Sequence, residues 1–276
     1  GCHLGTRTVN PHLVALAHLG IKIKITTKAY QVNCSNKKMA QLTMSEAGDT
    51  ATENIIMAAV LTPGKTVIDF ASCNYMVQDL CYFLRAAGAK ISGVGSKRLT
   101  ITGVKKLKPV SNYAIMPDPI ESMAFIALAI VTKSTLTISH CPIDFLSVEL
   151  EKLRLMGQKF NLSRPYLSKN HQFNLVDIKI RPSKLKALLD KLHPQPYPGI
   201  NIDNLPLFVP ILTQAQGQTL VHDWVYDTRA IYYTELNRLG AKIMLHDPHR
   251  VTINGLTKLT AAEIIAPPAL RPAINL

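Results

Sequence analysis

The sequence lacks the features that mark membrane-spanning and disulfide-stabilised proteins. Its longest uninterrupted apolar stretch, Met123 to Val131, is too short to cross a bilayer as a helix, and no secretory leader is recognisable at the N-terminus. The five cysteines form an odd-numbered set without a Cys-x-x-Cys pair or metal-ligand spacing. We therefore expect reduced thiols in a cytoplasmic protein, with no disulfide framework, no bound metal and no membrane partner.

Acidic residues are also scarce, since 18 Asp and Glu stand against 31 Lys and Arg and give a net charge of +13. Such an excess favours an anionic partner: a nucleic acid, a membrane surface or a phosphorylated small molecule. The basic residues are scattered, however, and only short pairs such as Lys37–Lys38 and Lys105–Lys106 occur. Aromatic residues make up 6% of the chain and do not alternate with basic ones. A solvated basic surface is therefore favoured over a nucleic-acid-binding stripe.

What the chain does contain is an internal repeat. With 276 residues, 47% of them hydrophobic, it is long enough for one large or two ordinary domains. A helix-like run that ends in a glycine and leads into a short strand recurs four times. The four glycines are Gly20, Gly88, Gly157 and Gly240. Glycine at this place predicts a left-handed helix C-terminus before each strand.

Matching segments extend the repeat on both sides of two of these glycines. Leu99–Val104 follows Gly88, and the similar segment Val251–Leu256 follows Gly240. A strand and a helix precede each of these glycines, and a further apolar helix comes earlier still. These earlier helices are predicted at 52–61, 121–131 and 203–212. The unit is thus a βαβαββ module, and the predicted fold class is α/β (α+β).

Two prolines in close succession, Pro117 and Pro119, interrupt the repeat. Two prolines forbid a continuous helix or a central strand at this point. We therefore place a domain boundary here and predict domains at 1–116 and 117–276.

Several motifs carry a family resemblance, and they follow one another along the full length of the chain. They are Gly1-Cys2-x-x-Gly5-x-Arg7-x-Val9-x-x-His12-Leu13, Ala51 to Ala59, Gly88 to Gly95, Pro117-Asp118-x-Ile120-Glu121, Pro198 to Asp203, Thr228-Arg229 and Glu235 to Ala241. Together they resemble the enolpyruvyl transferases, the EPSP synthase-like family. The resemblance implies βαβαββ units that form an inside-out α/β barrel, in two domains around a cleft. About four of the family's six units are present, so the chain resembles a fragment with two partial domains.

The resemblance also implies a reaction. The family members most similar to this chain transfer the enolpyruvyl group of phosphoenolpyruvate to the 3-hydroxyl of UDP-N-acetylglucosamine and release phosphate. This is the first committed step of peptidoglycan synthesis. Addition followed by elimination needs an acid and a base in a site that excludes water. The implied partners are these two small molecules, with no metal and no organic cofactor.

Two residues correspond to the family's acid and base. Cys2 matches the loop cysteine that donates a proton, whereas on local grounds alone most cysteines are small buried hydrophobes. Asp203 matches the aspartate that handles the proton of the sugar hydroxyl, and as an alternative it caps a helix that starts at Asn204. The residues implied in substrate binding are Arg7, Thr8, Val9, Asn10, Pro11, Val225, Tyr226, Arg229 and Arg271.

Three segments depart from the family pattern. The diphosphate-binding segment, usually Lys-x-Ser-Val-Gly-Ala-Thr, contains Glu46 and Asp49 here, which place negative charge where the diphosphate would lie. The usual Arg-Glu-Pro-Glu run reads Cys73 to Met76, and Asn10 replaces an aspartate of the uridine site. The family's N-terminal Lys-Asn pair and its last phosphoenolpyruvate-binding arginine have no counterpart. We therefore expect a divergent subgroup and little activity from these 276 residues alone.

Two other functions stay open on the sequence. One is that of a non-catalytic paralogue that binds a nucleotide sugar, which Glu46 and Asp49 favour. The other is processing of nucleic-acid ends, because RNA 3'-terminal phosphate cyclases use similar βαβαββ units and the chain is basic. The sequence shows neither their histidine motif nor an aromatic stacking platform.

Overall fold

The computed structural model describes residues 8–276. The chain divides into two compact units, one that ends at Ile115 and one that comprises Met116–Leu276. The assignment of functional domains to 1–116 and 117–276 stays a prediction.

The first unit contains a hairpin and a four-stranded sheet with helices. Its helices are α1 (Asn10–His18), α2 (Asp49–Ala59) and α3 (Tyr75–Ala86). Its strands are β1 (Lys22–Ile25), β2 (Tyr30–Asn33), β3 (Gln41–Thr43), β4 (Lys65–Asp69), β5 (Lys90–Ser92) and β6 (Arg98–Thr102). Strands β1 and β2 form an antiparallel pair, and the larger sheet has the order β3-β4-β6-β5. In that sheet β3 and β4 are parallel and the other pairs are antiparallel.

Apolar side chains at helical and strand spacing form the core of this unit. On β6, Leu99 and Ile101 are buried, as the two-residue period of a strand with one covered face requires. On α2, the buried Ile55 and Ile56 face the same cluster. Burial of this apolar surface is the main stabilising contribution, at about 25 cal/mol per Å².

The second unit contains two four-stranded sheets. Its helices are α4 (Pro119–Val131), α5 (Ser147–Leu155), α6 (Leu205–Thr213) and α7 (Leu270–Ile274), with 3₁₀ segments at Ile143–Phe145 and Arg229–Leu239. Its strands are β7 (Leu136–Pro142), β8 (Phe160–Leu162), β9 (Tyr166–Leu167), β10 (Asn174–Ile180), β11 (Leu185–Lys186), β12 (Ala215–His222), β13 (Ile243–Asp247) and β14 (Arg250–Gly255). One sheet has the order β7-β10-β8 with β9 also on β10, and the other has the order β11-β12-β14-β13.

The predicted repeat is visible in the two sheets of like order. In β3-β4-β6-β5 and in β11-β12-β14-β13 the first pair is parallel and the remaining pairs are antiparallel. Helix α2 joins the parallel pair in one sheet and α6 in the other. All nine residues of α6 are buried, which explains why its sequence is apolar all round. The predicted α/β fold with βαβαββ units is therefore confirmed.

Two glycines at matching places in the repeat are required for the same steric reason. Gly103 follows β6, and a Cβ atom added there would lie 1.7 Å from the carbonyl oxygen of Thr62, just after α2. Gly255 ends β14, and a Cβ atom there would lie 1.9 Å from the carbonyl oxygen of Ala215, just after α6. Only glycine allows the two backbones to approach this closely. The matching sequence segments thus encode the same close backbone contact, here called the seam, between the end of a strand and the residues that follow a helix.

The four cysteines of the described part of the chain differ in exposure. Cys73, Cys81 and Cys141 are buried, and Cys34 is exposed. Burial raises the pKa of the Cys81 thiol to about 12. Among residues 8–276, no helix has both the length and the apolar character that a bilayer-spanning segment needs.

Candidate active site

The carboxylate of Asp203 lies on a short turn that leads into α6. The backbone N–H of Asp203 donates a 2.8 Å hydrogen bond to Oδ1 of Asn201. The side chain is 26% exposed, so it is held near the surface and can be reached by a ligand. Helix α6 begins at Leu205 and not at Asn204, so the N-cap position is occupied by Asn204, whose side chain makes no capping hydrogen bond. Asp203 lies one residue before the N-cap. The alternative that Asp203 caps this helix is therefore wrong.

Two arginines flank this carboxylate. Nη1 of Arg229 lies 3.4 Å from Oδ1 of Asp203, and Nε of Arg271 lies 3.4 Å from Oδ2. These distances exceed the roughly 2.7–2.9 Å of a tight charge-assisted hydrogen bond. Arg271 is 24% exposed, whereas the side chain of Arg229 is fully buried. The structure thus brings together three residues that the sequence predicted for the site from distant positions.

A buried acidic partner fixes Arg229. Its Nε and Nη2 atoms donate to the two oxygens of Asp223 at 2.6 and 2.8 Å, and Nη2 also donates to the carbonyl oxygen of Ile202 at 2.6 Å. The hydroxyl of Tyr233 donates to the same Asp223 carboxylate. Burial raises the pKa of Tyr233 well above its usual value, and the Asp223 charge adds to this effect. The phenol therefore stays a proton donor.

Arg229 remains charged in this buried place. Burial opposes its charge, but the hydrogen-bonded Asp223 carboxylate outweighs that effect and raises the pKa of Arg229. The ring of Tyr226 lies under the guanidinium carbon at 4.3 Å, a cation–π distance. With its donors committed to Asp223 and Ile202, Arg229 orients the Asp203 carboxylate in addition to the substrate contact that the sequence predicts for it.

The other residues predicted for substrate binding lie in several places. Val225 and Tyr226 follow β12 and are partly buried, and Tyr226 reaches the site through its contact with Arg229. Residues Thr8, Val9, Asn10 and Pro11 lie in the first unit, where Asn10 and Pro11 begin α1 and the Asn10 N–H donates to Thr8 Oγ1 at 3.1 Å. Cys2 and Arg7 lie outside the described residues. Their roles stay predictions.

One residue near Asp203 was missed by sequence reasoning. Glu149 on α5 is 2% exposed, and its Oε1 accepts hydrogen bonds from the Asn201 N–H at 3.0 Å and from Asn204 Nδ2 at 2.9 Å. Burial raises its pKa, although the hydrogen bonds from Asn204 and Asn201 oppose the increase. Its sequence neighbourhood, Ser147-Val148-Glu149-Leu150-Glu151, is typical of a solvated helix face and gives no signal for burial.

The first departure from the family pattern has a local structural role. Asp49 begins α2, and its two oxygens accept hydrogen bonds from Ser72 Oγ at 2.5 Å and from Asn74 Nδ2 at 2.8 Å. Asn74 in turn caps α3, because its Oδ1 accepts from the Tyr75 N–H at 2.9 Å. The Asp49 carboxylate is therefore satisfied within the first unit. Glu46, by contrast, is exposed.

Residues 8–276 contain no group of three or more His, Cys, Asp or Glu side chains placed to hold a metal ion. The chemistry that the described residues of the site offer is that of a carboxylate held beside two guanidinium groups. Such a carboxylate can accept a proton from a bound hydroxyl while the partly exposed Arg271 holds an anionic co-substrate.

Comparison with known proteins places the chain in a family. The whole chain, residues 1–276, matches the family model described as EPSP synthase (3-phosphoshikimate 1-carboxyvinyltransferase). The UDP-N-acetylglucosamine 1-carboxyvinyltransferase of Gloeobacter violaceus is 34% identical over 266 residues, which is 96% of this chain and 55% of the relative. The protein of the same name from Borreliella burgdorferi is 33% identical over 283 residues, which is 99% of this chain and 62% of the relative. The chain thus spans little more than half the length of these relatives.

Solved structures show the same fold at lower identity. The enolpyruvyl transferase NikO from Streptomyces tendae matches with a TM-score of 0.77 at 18% identity, over 92% of this chain and 60% of that protein. EPSP synthase from Acinetobacter baumannii matches with a TM-score of 0.73 at 18% identity, over 99% of this chain and 64% of that protein. The predicted enolpyruvyl-transferase fold is confirmed. Because the family model also matches every residue of the chain, the protein belongs to the EPSP synthase family of enolpyruvyl transferases.

Proposed function

We propose that this protein transfers the enolpyruvyl group of phosphoenolpyruvate to the 3-hydroxyl of UDP-N-acetylglucosamine and releases phosphate, as a cytoplasmic enzyme of peptidoglycan synthesis. The relatives that are 33–34% identical carry the name of this activity. The observation that carries the proposal is the position of Asp203, whose two carboxylate oxygens lie 3.4 Å from Arg229 and Arg271 respectively.

In the proposed addition step, Asp203 accepts the proton of the sugar hydroxyl while that oxygen bonds to C2 of phosphoenolpyruvate. The thiol of Cys2 donates a proton to C3, which becomes a methyl group. In the elimination step, C3 returns a proton to the Cys2 thiolate, the double bond re-forms, and phosphate leaves with the electron pair of its C–O bond and takes up the proton held by Asp203. Arg271, which is partly exposed, holds an anionic group of the substrate beside Asp203.

The binding assignments rest on the family pattern. We propose that Arg7 meets phosphate groups, that residues 8–11 hold the uridine, and that Val225 and Tyr226 contact the nucleotide sugar. The partners are small molecules, and the chemistry needs neither a metal nor an organic cofactor.

The test is phosphate release from phosphoenolpyruvate by the protein that carries these 276 residues, with and without UDP-N-acetylglucosamine. We expect release that depends on the nucleotide sugar, and an enolpyruvyl product detectable by mass spectrometry. Asp203→Asn removes the proton acceptor and should lower the rate by roughly 10²–10⁴-fold. Asp190→Asn, at an exposed position of the same unit, is the matched control and should leave the rate unchanged. Equal rates for Asp203→Asn and Asp190→Asn would rule out the assigned base.

A second candidate function is binding of a nucleotide sugar without catalysis. Its support is the departure from the family pattern at Asp49, because a carboxylate at the N-terminus of α2 would displace the diphosphate from its usual place and so disfavour turnover. Calorimetric binding of UDP-N-acetylglucosamine without phosphate release would support this function against the transferase. Release of phosphate at a rate that depends on Asp203 would exclude it.

A further inference from the structure

A buried carboxyl group underlies the turn that carries Asp203, and the proposed reaction does not use it. The Oε1 atom of Glu149 accepts hydrogen bonds from Asn201 and Asn204, the residues on either side of Ile202 and Asp203. Asn201 in turn contacts Asp203, because its Oδ1 accepts a 2.8 Å hydrogen bond from the N–H of Asp203. A single side-chain oxygen on α5 is thus linked through Asn201 to the backbone of Asp203.

The surroundings of Glu149 argue for an orienting role and against a purely stabilising one. Glu149 is 2% exposed, and the hydrogen bonds that oppose its raised pKa come from Asn204 and from backbone amides, with no cation among these partners. A buried carboxyl group without a counter-ion is costly, so stability alone does not account for a glutamate at this position. Asn204 is fully buried as well, and its Oδ1 has no hydrogen-bond partner among the described residues. The bond to Glu149 is therefore what fixes the Asn204 amide.

From this geometry we infer that Glu149 is a positioning residue, which holds the Asn201–Asn204 turn so that the Asp203 carboxylate faces Arg229 and Arg271. The inference rests on the proposed function, because it assumes that Asp203 is the base. Two separate anchors then define the site. Asp223 fixes Arg229 from one side, and Glu149 fixes the backbone of Asp203 from the other.

The two arginines allow the two anchors to be separated by NMR spectroscopy. Nε of Arg271 lies 3.4 Å from Oδ2 of Asp203, whereas the Nε–H of Arg229 donates a hydrogen bond to Asp223 at 2.6 Å. Loss of the Glu149 anchor should therefore change the Arg271 Nε–H resonance more than that of Arg229, because the Arg229 Nε–H stays bonded to Asp223 while only its Nη atoms contact the turn. Hydrogen exchange of the Asp203 amide is a second readout, because that N–H is bonded to Asn201.

The variants are Glu149→Gln, Glu149→Leu and, as control, Glu151→Gln. Glutamine keeps an oxygen acceptor, so we expect it to preserve the Arg271 resonance and slow exchange at Asp203. Leucine has similar volume and no acceptor, so we expect the Arg271 resonance to shift and the Asp203 amide to exchange about tenfold faster. Glu151 lies on the same helix, is exposed and pairs with Arg154 at 2.6 Å, so its substitution should change neither readout.

Two outcomes would overturn the inference. One is a folded Glu149→Leu protein with the wild-type Arg271 resonance and wild-type exchange at Asp203. The other is a change of the Arg229 Nε–H resonance as large as that of Arg271, which would show a general structural role. If leucine prevents folding, Glu149→Asp, which withdraws the acceptor by one methylene, is judged by the same criteria. These readouts need no turnover, so a failure of the proposed transferase activity is seen separately.

Turnover gives a further distinction. If the protein is active, Glu149→Leu should lower kcat with little change in KM, because a misplaced base costs up to roughly 10²-fold in rate without weakening substrate binding. Glu149→Gln should restore most of the rate. A rise in KM at constant kcat would contradict a positioning role for Glu149.

Discussion

Two aspartates of the second unit show how strongly burial decides the energetic importance of an ion pair. Asp223 accepts from Arg229 Nε at 2.6 Å, and Asp247 accepts from Arg250 Nε at the same distance. Both side chains of the first pair are fully buried, whereas Arg250 is 54% exposed. Although the two distances are the same, breaking the Asp223–Arg229 pair should cost more, because only that pair lies in the interior.

We therefore expect Asp223→Asn to destabilise the protein by about 3–5 kcal/mol, since it removes the buried partner of the Arg229 guanidinium and leaves only the partly exposed Asp203 carboxylate, at 3.4 Å, as a counter-charge. Asp247→Asn is the control and should unfold close to the wild-type midpoint. The measurement is urea unfolding followed by circular dichroism at neutral pH. Equal unfolding midpoints for the two variants would show that the Arg229 pair is solvated in solution.

Glu149 provides a prediction about pH. Its pKa in the folded protein is raised by burial, so the folded state holds the proton more tightly than the unfolded chain does. The stability gained in this way is fully present below the unfolded pKa of about 4.3 and is lost as the pH rises through the folded value. Glutamine does not titrate, so wild type should lose stability relative to Glu149→Gln as the pH increases.

The comparison is made by urea unfolding of both proteins at several pH values between 4 and 8. Glu151→Gln serves as the control, because the Arg154 hydrogen bond lowers the pKa of Glu151 and the residue is exposed. A constant difference between wild type and Glu149→Gln over this range would mean that Glu149 does not change its protonation state on folding.

At the level of secondary-structure elements, the seam marked by Gly103 is open to a direct test. Gly103→Ala would place a methyl group 1.7 Å from the Thr62 carbonyl oxygen, so the backbone after α2 must move. Gly88→Ala is the control from the same unit, because Gly88 has φ of +96° and nothing within 4 Å of the added carbon. There the cost is the left-handed conformation alone, about 1–2 kcal/mol. We expect a distinctly lower Tm for Gly103→Ala, and a Tm equal to that of Gly88→Ala would contradict the close approach.

The apolar patterns predict the existence of the elements better than their ends or their exact type. The helix predicted at 52–61 is observed as Asp49–Ala59, because the hydrogen bonds that Asp49 receives from Ser72 and Asn74 extend its first turn. The helix predicted before Gly240 is a run of 3₁₀ turns, Arg229–Leu239. The two helix types share nearly the same apolar spacing, so the pattern does not separate them.

The candidate site shows where sequence reasoning stops. The family pattern singled out Asp203, Arg229 and Arg271, but their contacts come from the folding of segments far apart in the chain. Asp223 and Glu149 carry no sequence signal, because an isolated acidic residue in a polar segment is usually solvated. Their roles depend on tertiary burial and were visible only in the structure.

For the whole molecule, the thiols offer a probe of folding in each unit. Cys73 and Cys81 lie buried in the first unit, Cys141 lies buried in the second, and Cys34 is exposed. Burial raises the pKa of all three buried thiols. In a Cys2→Ser background at pH 8, we therefore expect a thiol reagent to label Cys34 rapidly and the other three only as the chain opens.

Mass spectrometry after timed labelling identifies the reacted thiols. Cys34→Ser should remove the fast phase in this background, while urea should expose the buried thiols. Rapid labelling of Cys81 under native conditions would show that the α2–α3 region of the first unit opens readily.

The hydrogen bond between Asp49 and Asn74 has a consequence for the evolutionary history of this chain. Each residue lies in a segment that departs from the family pattern, and the two segments meet at 2.8 Å. Reverting position 74 to the family's glutamate alone would set a second carboxylate against Asp49, and reverting position 49 to valine alone would leave the Asn74 amide without its acceptor. We therefore expect neither substitution to be neutral on its own. The two positions should be coupled, so that the effects of the single substitutions on the free energy of unfolding do not add in the double variant.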